Sequence, residues 1–174
     1  MARYSTESDL TLLRKYASTA KMGIVEIGVL DGETTKEMGL VSKVPIYGID
    51  PIIPDSMNRS LIGSVELITR HMAFYKDFHF FKNYSHDVAK DWKYKFDFIW
   101  LDGDHTYEAV KTDFNDWIPM LELNGFFALH DVFPNVEGFK GWPGPRRLYD
   151  EIKNLPNLKQ TDLCNSMVVF QKIA

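Results

Sequence analysis

Short apolar runs alternate along the chain with stretches whose apolar residues recur every three or four positions, which predicts strands and helices in turn. Leu10, Leu13, Tyr16 and Ala17 share one face, so a helix over about 7–19 opens the chain. Ser5 or Thr6 caps its start, and it is expected to cover one edge of a sheet. The run ending in Glu26-Ile27 is a first strand; it enters Gly28-Val29-Leu30-Asp31-Gly32, and a helix follows from Glu33 to about Val41. Pro45–Ile49 is a second strand ending in Asp50-Pro51. After an irregular stretch, a helix is expected from Leu61 to Tyr75, with Met57, Leu61, Ile68 and Met72 read as core and Arg59, Arg70 and His71 as solvent-facing. Phe78–Phe81 is a third strand, followed by a short helix over His86–Asp91. No partner for His79 or His86 is visible in the sequence.

The stretch from Phe96 to Asp131 organises the rest. Phe96–Leu101 is β-branched and aromatic, which suits a strand buried on both faces, and it ends in Asp102-Gly103-Asp104-His105. Tyr107, Val110, Phe114, Trp117 and Leu121 then form a helical stripe that Asn124-Gly125 terminates. A second apolar run, Phe126–Leu129, ends in His130-Asp131. Strand, helix, strand with short connections favours a right-handed parallel crossover, which puts both strand ends at one edge of the sheet. Ligands bind at that edge in open α/β sheets. Asp102, Asp104, His105, His130 and Asp131 are therefore expected around one crevice. The Gly- and Pro-rich stretch 132–145 leaves that edge, and its aromatics Phe133, Phe139 and Trp142 suggest a substrate-covering lid. A helix over Arg146–Asn154 and a hairpin of Leu158–Leu163 with Met167–Phe170 close the chain. The fold expected is α/β: a Rossmann-like doubly wound sheet of about seven strands, mostly parallel, with an antiparallel C-terminal edge strand, in a single domain over 1–174.

Composition narrows the partners. The net charge is −4 with no basic run, which disfavours nucleic acid. The lone Cys164 excludes an internal disulfide and reads as a buried, inert thiol. The N-terminus lacks the apolar core of a signal peptide, and no apolar run is long enough for a bilayer. A cytoplasmic protein with no membrane partner is expected.

The chemistry lies at the strand ends. A strand, a glycine turn and a helix N-terminus cradle nucleotides, but the spacing here is Gly-x-x-x-Gly, not the Gly-x-Gly-x-x-Gly of dinucleotide binders. Asp50, at the tip of the second strand, offers acceptors for a ribose diol, with a cap on the following turn as the alternative. Ser85 is open between a nucleobase contact and a cap on the helix it precedes. Asp102 and Asp131, on adjacent strand ends, are the candidate metal carboxylates. His105 is the candidate base, because its unperturbed pKa lies near neutrality. Asp104 is an alternative base or ligand, or a cap beside Thr106. His130 is open between a site residue and a core histidine.

The segments IVEIGVLDGETT, YGIDP, FDFIWLDGDHTYEAVKTDF and LNGFFALHD resemble the class I S-adenosylmethionine-dependent methyltransferases. Within them, the similarity is to the small-molecule O-methyltransferases grouped with macrocin O-methyltransferase and the cephalosporin-hydroxylase-like proteins. It covers nearly the whole chain, and DGDHTYEAV is its specific part. The resemblance implies that Glu26, Gly28 and Gly32 hold the methionine portion of the cofactor, that Asp50 binds the ribose and that Ser85 contacts the adenine. It implies Asp102 beside the cofactor and as a metal ligand, with the pair His130-Asp131 completing a site for Mg2+ or another divalent cation, and His105 as general base. Histidine at 130 departs from the acidic or amide residue usual there and suits magnesium poorly. The implied reaction is O-methylation of a small hydroxylated molecule: a sugar, a phenol or a natural product. A second subunit or the 132–145 loop is expected to help hold the acceptor, which makes a homodimer an expectation. The competing readings are a nicotinamide-dependent oxidoreductase and a non-catalytic cofactor-binding member.

Overall fold

In a computed structural model, which describes residues 5–133 and 142–174, the chain runs α1 (Glu7–Thr19), β1 (Ile24–Ile27), α2 (Glu33–Gly39), β2 (Ile46–Ile49), α3 (Val65–Met72), β3 (Phe78–Phe81) and α4 (Ser85–Lys90). It continues through β4 (Phe98–Leu101), α5 (Tyr107–Trp117), a 3-10 turn (Ile118–Met120), β5 (Phe126–Leu129), α6 (Pro143–Ile152), β6 (Leu158–Cys164) and β7 (Met167–Lys172). The seven strands make one sheet in the order β3-β2-β1-β4-β5-β7-β6. The first five are parallel; β7 is antiparallel to both β5 and β6, so it inserts between them and leaves β6 at the edge. This is the Rossmann-like, mostly parallel arrangement that the periodicity predicts. Strand order reverses between β1 and β4, and the crevice outside their carboxyl ends is where such sheets take ligands.

Strand alternation divides the core into two layers. Val25, Ile27, Ile99, Leu101, Phe127 and Leu129 face α5 and α6 through Val110, Trp117, Leu148 and Ile152. Ile24, Phe98, Trp100, Ala128 and Val169 face the other way, against Leu10, Leu13, Tyr16 and Ala17 of α1 and Met38 of α2. Helix α1 thus lies across a face of the sheet rather than along an edge, because this layer needs its apolar stripe. Thr6 caps it in a reciprocal capping box with Asp9.

Several local expectations change. The helix expected from Leu61 begins at Val65, where Ser64 accepts from Leu67 N at 3.3 Å, so Met57 and Leu61 fall outside it. Met57 is exposed and Leu61 borders the ligand crevice; Ile68 and Met72 are core. His71 is not simply solvent-facing, since its Nδ1 lies 2.9 Å from the Asp31 carbonyl. His79 and His86 find surface partners in Asp77 and Asp116. The lid expected over 132–145 falls mostly outside the described residues, Phe139 included. Phe133 packs on Tyr149 and under Arg146 instead of covering the crevice, whereas Trp142 borders it. No helix among the described residues is long and apolar enough to cross a membrane.

Candidate functional site

A cavity of about 990 Å³ opens at the carboxyl ends of the parallel strands, from the turn after β1 to the ends of β4 and β5. Its first wall is the glycine turn. Gly28 has φ 86°, and a Cβ there would sit 2.0 Å from the Asp102 carbonyl oxygen. Only glycine lets the chain leaving β1 pass so close beneath the chain leaving β4. Gly32, with φ 84°, opens α2.

Asp50 ties this wall together. Its Oδ2 accepts from Val29 N at 2.9 Å and Leu30 N at 2.8 Å, and its Oδ1 accepts from Ile52 N at 2.7 Å. Leu30 and Ile52 are both left-handed, with φ of 55° and 58°. Such residues cost roughly 1–3 kcal/mol each, so the carboxylate holds strained turns in place. A carboxylate offers about four acceptor sites, so Asp50 has room for one further donor. The pair of acceptors expected for a diol is thereby reduced to one.

Glu26 lies behind the wall, fully buried and outside the cavity lining. Thr34 donates to it at 2.5 Å, and Thr35 donates to its other oxygen. Burial pushes its carboxyl up to about 8; the two threonines oppose that shift, while Asp102 and Asp50 add to it. Thr34 does border the cavity, so its hydroxyl links Glu26 to the lining.

The opposite wall is a rim of carboxylates and imidazoles. His105 is clamped from both sides: Nδ1 lies 2.9 Å from Asp55 Oδ2 and Nε2 lies 3.0 Å from Asp131 Oδ2. Its ring stacks on Trp142 with centroids 4.4 Å apart. His130 is buried, with Nδ1 3.0 Å from Asp102 Oδ1 and Nε2 3.1 Å from Ser166 Oγ. Burial works against a charge on His105, but hydrogen bonds to Asp131 and Asp55 and the charges of Asp102 and Asp131 hold it at about 9. For His130, burial is likewise outweighed, here by the charges of Asp102 and Asp131 and the bond to Asp102, and it too stands at about 9. Burial would raise Asp131, yet the charge of His130 and the bond from His105 keep it below the usual carboxylate range. Burial wins at Asp102, which is raised although His130 opposes it.

Asp55 and Ser166 are site neighbours that the sequence did not flag. Asp55 lies in the irregular segment after β2, where no periodicity marks it. Ser166 lies in the β6–β7 turn, and only the insertion of β7 beside β5 brings it to His130.

Ligand atoms of Asp102, His105 and Asp131 lie within 4.8 Å of one another, a spacing that suits a cation. The expected trio of Asp102, His130 and Asp131 shares its two carboxylates with this group. His130 lies outside this group, with Nδ1 facing Asp102 and Nε2 facing Ser166. Two carboxylates with an imidazole match manganese or a later divalent transition ion better than magnesium. His105 would first have to release its proton.

Asp104 accepts from Thr106 N and from Ser56 N, each at 2.9 Å. Burial raises its pKa, but the hydrogen bonds from Ser56 and Thr106 prevail and hold it below the ordinary range, which makes it a weak base. Thr106, not Asp104, caps α5. Ser85 does not cap α4 either: it is the first helical residue, and its hydroxyl donates to Asp113. Asp113 was not singled out in the sequence, where it reads as one polar position in a helical stripe.

A family model described as "Methyltransferase domain" matches residues 25–132. The match spans more than half of the chain, and the chain belongs to this methyltransferase family. The nicotinamide-dependent reading is set aside with it. Among solved structures, the O-methyltransferase NovP is similar over 96% of this chain and 80% of its own, with TM-score 0.71 and 16% identity. An O-methyltransferase from Bacillus cereus in complex with SAH is similar over 100% and 84%, with TM-score 0.72 and 16% identity. TomG from Streptomyces achromogenes, an O-methyltransferase involved in tomaymycin synthesis and solved with SAM, is similar over 98% and 82%, with TM-score 0.70 and 13% identity. At these identities the likeness shows the fold.

Proposed function

We propose that this chain, read as one domain over 1–174, transfers the methyl group of S-adenosylmethionine to a hydroxyl of a small molecule. The observation that carries this reading is that Asp50, the glycine turn and the Asp55–His105–Asp131 clamp border one cavity. The similar O-methyltransferases solved with SAH or SAM support the cofactor and the type of acceptor. Cavities of about 300–1,000 Å³ suit ligands of this size.

In the reaction, the acceptor oxygen forms a bond to the methyl carbon as the carbon–sulfur bond breaks and its electron pair goes to sulfur. The acceptor's proton must leave. Neutral His105 takes it on Nε2, while Asp55 holds Nδ1–H and so fixes the tautomer. A base near 9 is best matched to a phenolic acceptor, whose pKa is about 10, among the sugars, phenols and natural products considered. Aligning acceptor and donor is worth up to roughly 7–11 kcal/mol in model systems. A divalent cation held by Asp102, His105 and Asp131 would lower the pKa of the acceptor hydroxyl, and it would then replace His105 as the means of releasing the proton, since a ligating imidazole cannot also accept it. The far side of the acceptor would then be held by residues of the 132–145 segment or by a second subunit.

The test is transfer of labelled methyl from S-adenosylmethionine to panels of phenols, catechols and sugars, with and without chelator, alongside gel filtration. Labelled phenol product is expected. Binding of S-adenosylhomocysteine with no transfer to any hydroxyl, with or without added manganese, would leave a non-catalytic cofactor binder. Loss of transfer on chelation would make the cation essential.

A further inference from the structure

The segment 51–64, between β2 and α3, makes a detour that neither element needs. It leaves the end of β2 and reaches the turn after β4, on the far side of β1. There Ser56 N donates to Asp104 Oδ2 at 2.9 Å. The neighbouring Asp55 Oδ2 accepts from His105 N at 3.3 Å and lies 2.9 Å from His105 Nδ1. The chain then returns to the turn after β1, where Ser64 N donates to the Leu30 carbonyl at 2.8 Å, and enters α3. Two successive residues of one segment thus hold two successive residues of another, with the end of β1 between them. The segment spans the cavity as a strap, and Ile53, Asp55, Asn58 and Leu61 border that cavity.

The strap is stiff at its tip and lightly held. Asp55 Oδ1 accepts from Met57 N at 2.9 Å and from Asn58 N at 2.7 Å, and Asp55 N donates to the Leu61 carbonyl at 2.9 Å, so the tip closes on itself. At one end Ile52 is left-handed, with φ 58°. At the other, Gly63 passes so near Leu30 that a Cβ would come within 2.4 Å of its carbonyl oxygen. No residue from 51 to 64 belongs to either core layer, and Ile53, Met57 and Ile62 are exposed. A segment with polar attachments and little apolar burial opens at small free-energy cost while the core stays folded.

We infer that 52–63 is a gate for the adenosyl cofactor and that Asp104 is its latch. By holding Ser56 N, Asp104 delivers Asp55 to His105, which makes it a positioning residue for the base. The inference rests on the adenosyl-cofactor reading above. Closed, the strap bars exchange of the cofactor and fixes the His105 ring. Open, it admits or releases the cofactor and leaves His105 Nδ1 without Asp55. Transfer and exchange therefore belong to different positions of one segment.

The experiment measures association and dissociation rate constants of S-adenosylhomocysteine, with thermal melts, on the full chain as wild type, Asp104→Ala, Ser56→Pro and the double variant. Ser56→Pro removes the N–H that Asp104 accepts. Each single variant is expected to raise both rate constants by about tenfold to a hundredfold, the worth of one hydrogen bond to a charged group. Affinity then changes far less than either rate. The double variant is expected to match the singles, because both break the same bond. Faster dissociation with an unchanged association rate would overturn the inference, since Asp104 would then hold the ligand rather than bar its path. Wild-type rates in Ser56→Pro would also overturn it and leave Asp104 a partner of Thr106 N alone. Ser56 is exposed, so this variant decides by itself should Asp104→Ala not fold. In either of those outcomes the cofactor still binds and its reading stands. Wild type that binds no S-adenosylhomocysteine would remove both.

Discussion

The two ends of the cavity hold their carboxylates by opposite means. At the glycine turn, Asp50 accepts from three backbone N–H groups, of Val29, Leu30 and Ile52. Those donors cannot titrate. At the rim, Asp102 and Asp131 are balanced by His130 and His105, both of which can lose a proton near pH 9. The nucleotide end is thus a fixed shape, and the rim is a charge state. Shape suits a cofactor that is always the same, and a titratable rim suits a step in which a proton moves. Binding of S-adenosylhomocysteine should therefore follow pH through Glu26 behind the wall, whose carboxyl stands at about 8, whereas turnover follows His105 at about 9.

The strongest way to break this contrast is to mutate each end. Asp131→Ala removes the carboxylate on which His105 Nε2 rests and is expected to lower turnover by about 10²–10⁴-fold. Because the cofactor wall is elsewhere, its affinity for S-adenosylhomocysteine should stay within about threefold. Asp50→Ala should do the reverse in binding: the two left-handed turns at Leu30 and Ile52 lose their anchor, and affinity falls first. Single-turnover rates and calorimetry on both variants decide. Equal losses of affinity and rate in both would mean that the ends are not separable.

The pH profile sharpens the same point. With His105 at about 9, the neutral form needed to accept a proton becomes more abundant as pH rises, so the transfer rate is expected to climb up to about pH 9 and then level. In His105→Gln the climb should vanish, and the rate should lie about 10²–10⁴-fold lower. Stability runs the other way. A histidine raised in the folded state contributes stability that is complete below its unfolded value of 6.5 and is lost as pH rises through about 9. Melting temperature should therefore fall over the pH range in which activity rises.

Glu26 tests the back of the cofactor wall. Its carboxyl rises from 4.5 to about 8, chiefly through burial, so the folded state binds that proton more tightly. The sign follows: folding is favoured below about 4.5 and progressively loses that advantage as pH climbs through 8. Glu26→Gln keeps an acceptor for Thr34 or Thr35 and cannot ionise. It should melt higher than wild type at pH 8.5, with the gap closing toward pH 5. An unchanged gap across that range would show that Glu26 is ionised in the fold, stabilised by something other than its threonines.

The strands and the crevice were legible in the sequence because they are local. Phe96–Leu101 and Phe126–Leu129 read as buried strands from composition alone, and a crossover rule puts Asp102 and Asp131 at the same edge; the register pairs Leu101 with Leu129. What could not be read is which polar group satisfies which. Both nitrogens of His130 are engaged because β7 inserts between β5 and β6 and delivers Ser166, a contact 36 residues distant in sequence. Asp55 meets His105 across 50 residues, from a segment with no pattern of its own. Asp104 reads as a base, a ligand or a cap, and nothing in the sequence shows that Ser56 N donates to it. Periodicity reports burial, whereas the identity of a hydrogen-bond partner depends on tertiary placement.

The smallest effect belongs to Trp142, and it separates two influences on His105. The indole ring stacks on the imidazole, which favours the charged ring by about 0.5–2 kcal/mol. The Trp142 side chain also hydrogen-bonds to Asp131 and helps keep that carboxylate low. Removing the ring should lower the pKa of His105, because its cation loses a polarisable neighbour. Removing the N–H alone should raise it, because Asp131 then puts more of its charge into the bond with His105. Trp142→Ala loses both influences and Trp142→Phe loses only the second. The rising limb of the rate profile should therefore move to lower pH in Trp142→Ala if stacking dominates, and to slightly higher pH in Trp142→Phe. If both variants moved it the same way by the same amount, the ring would contribute nothing and the rim would be governed by its carboxylates alone.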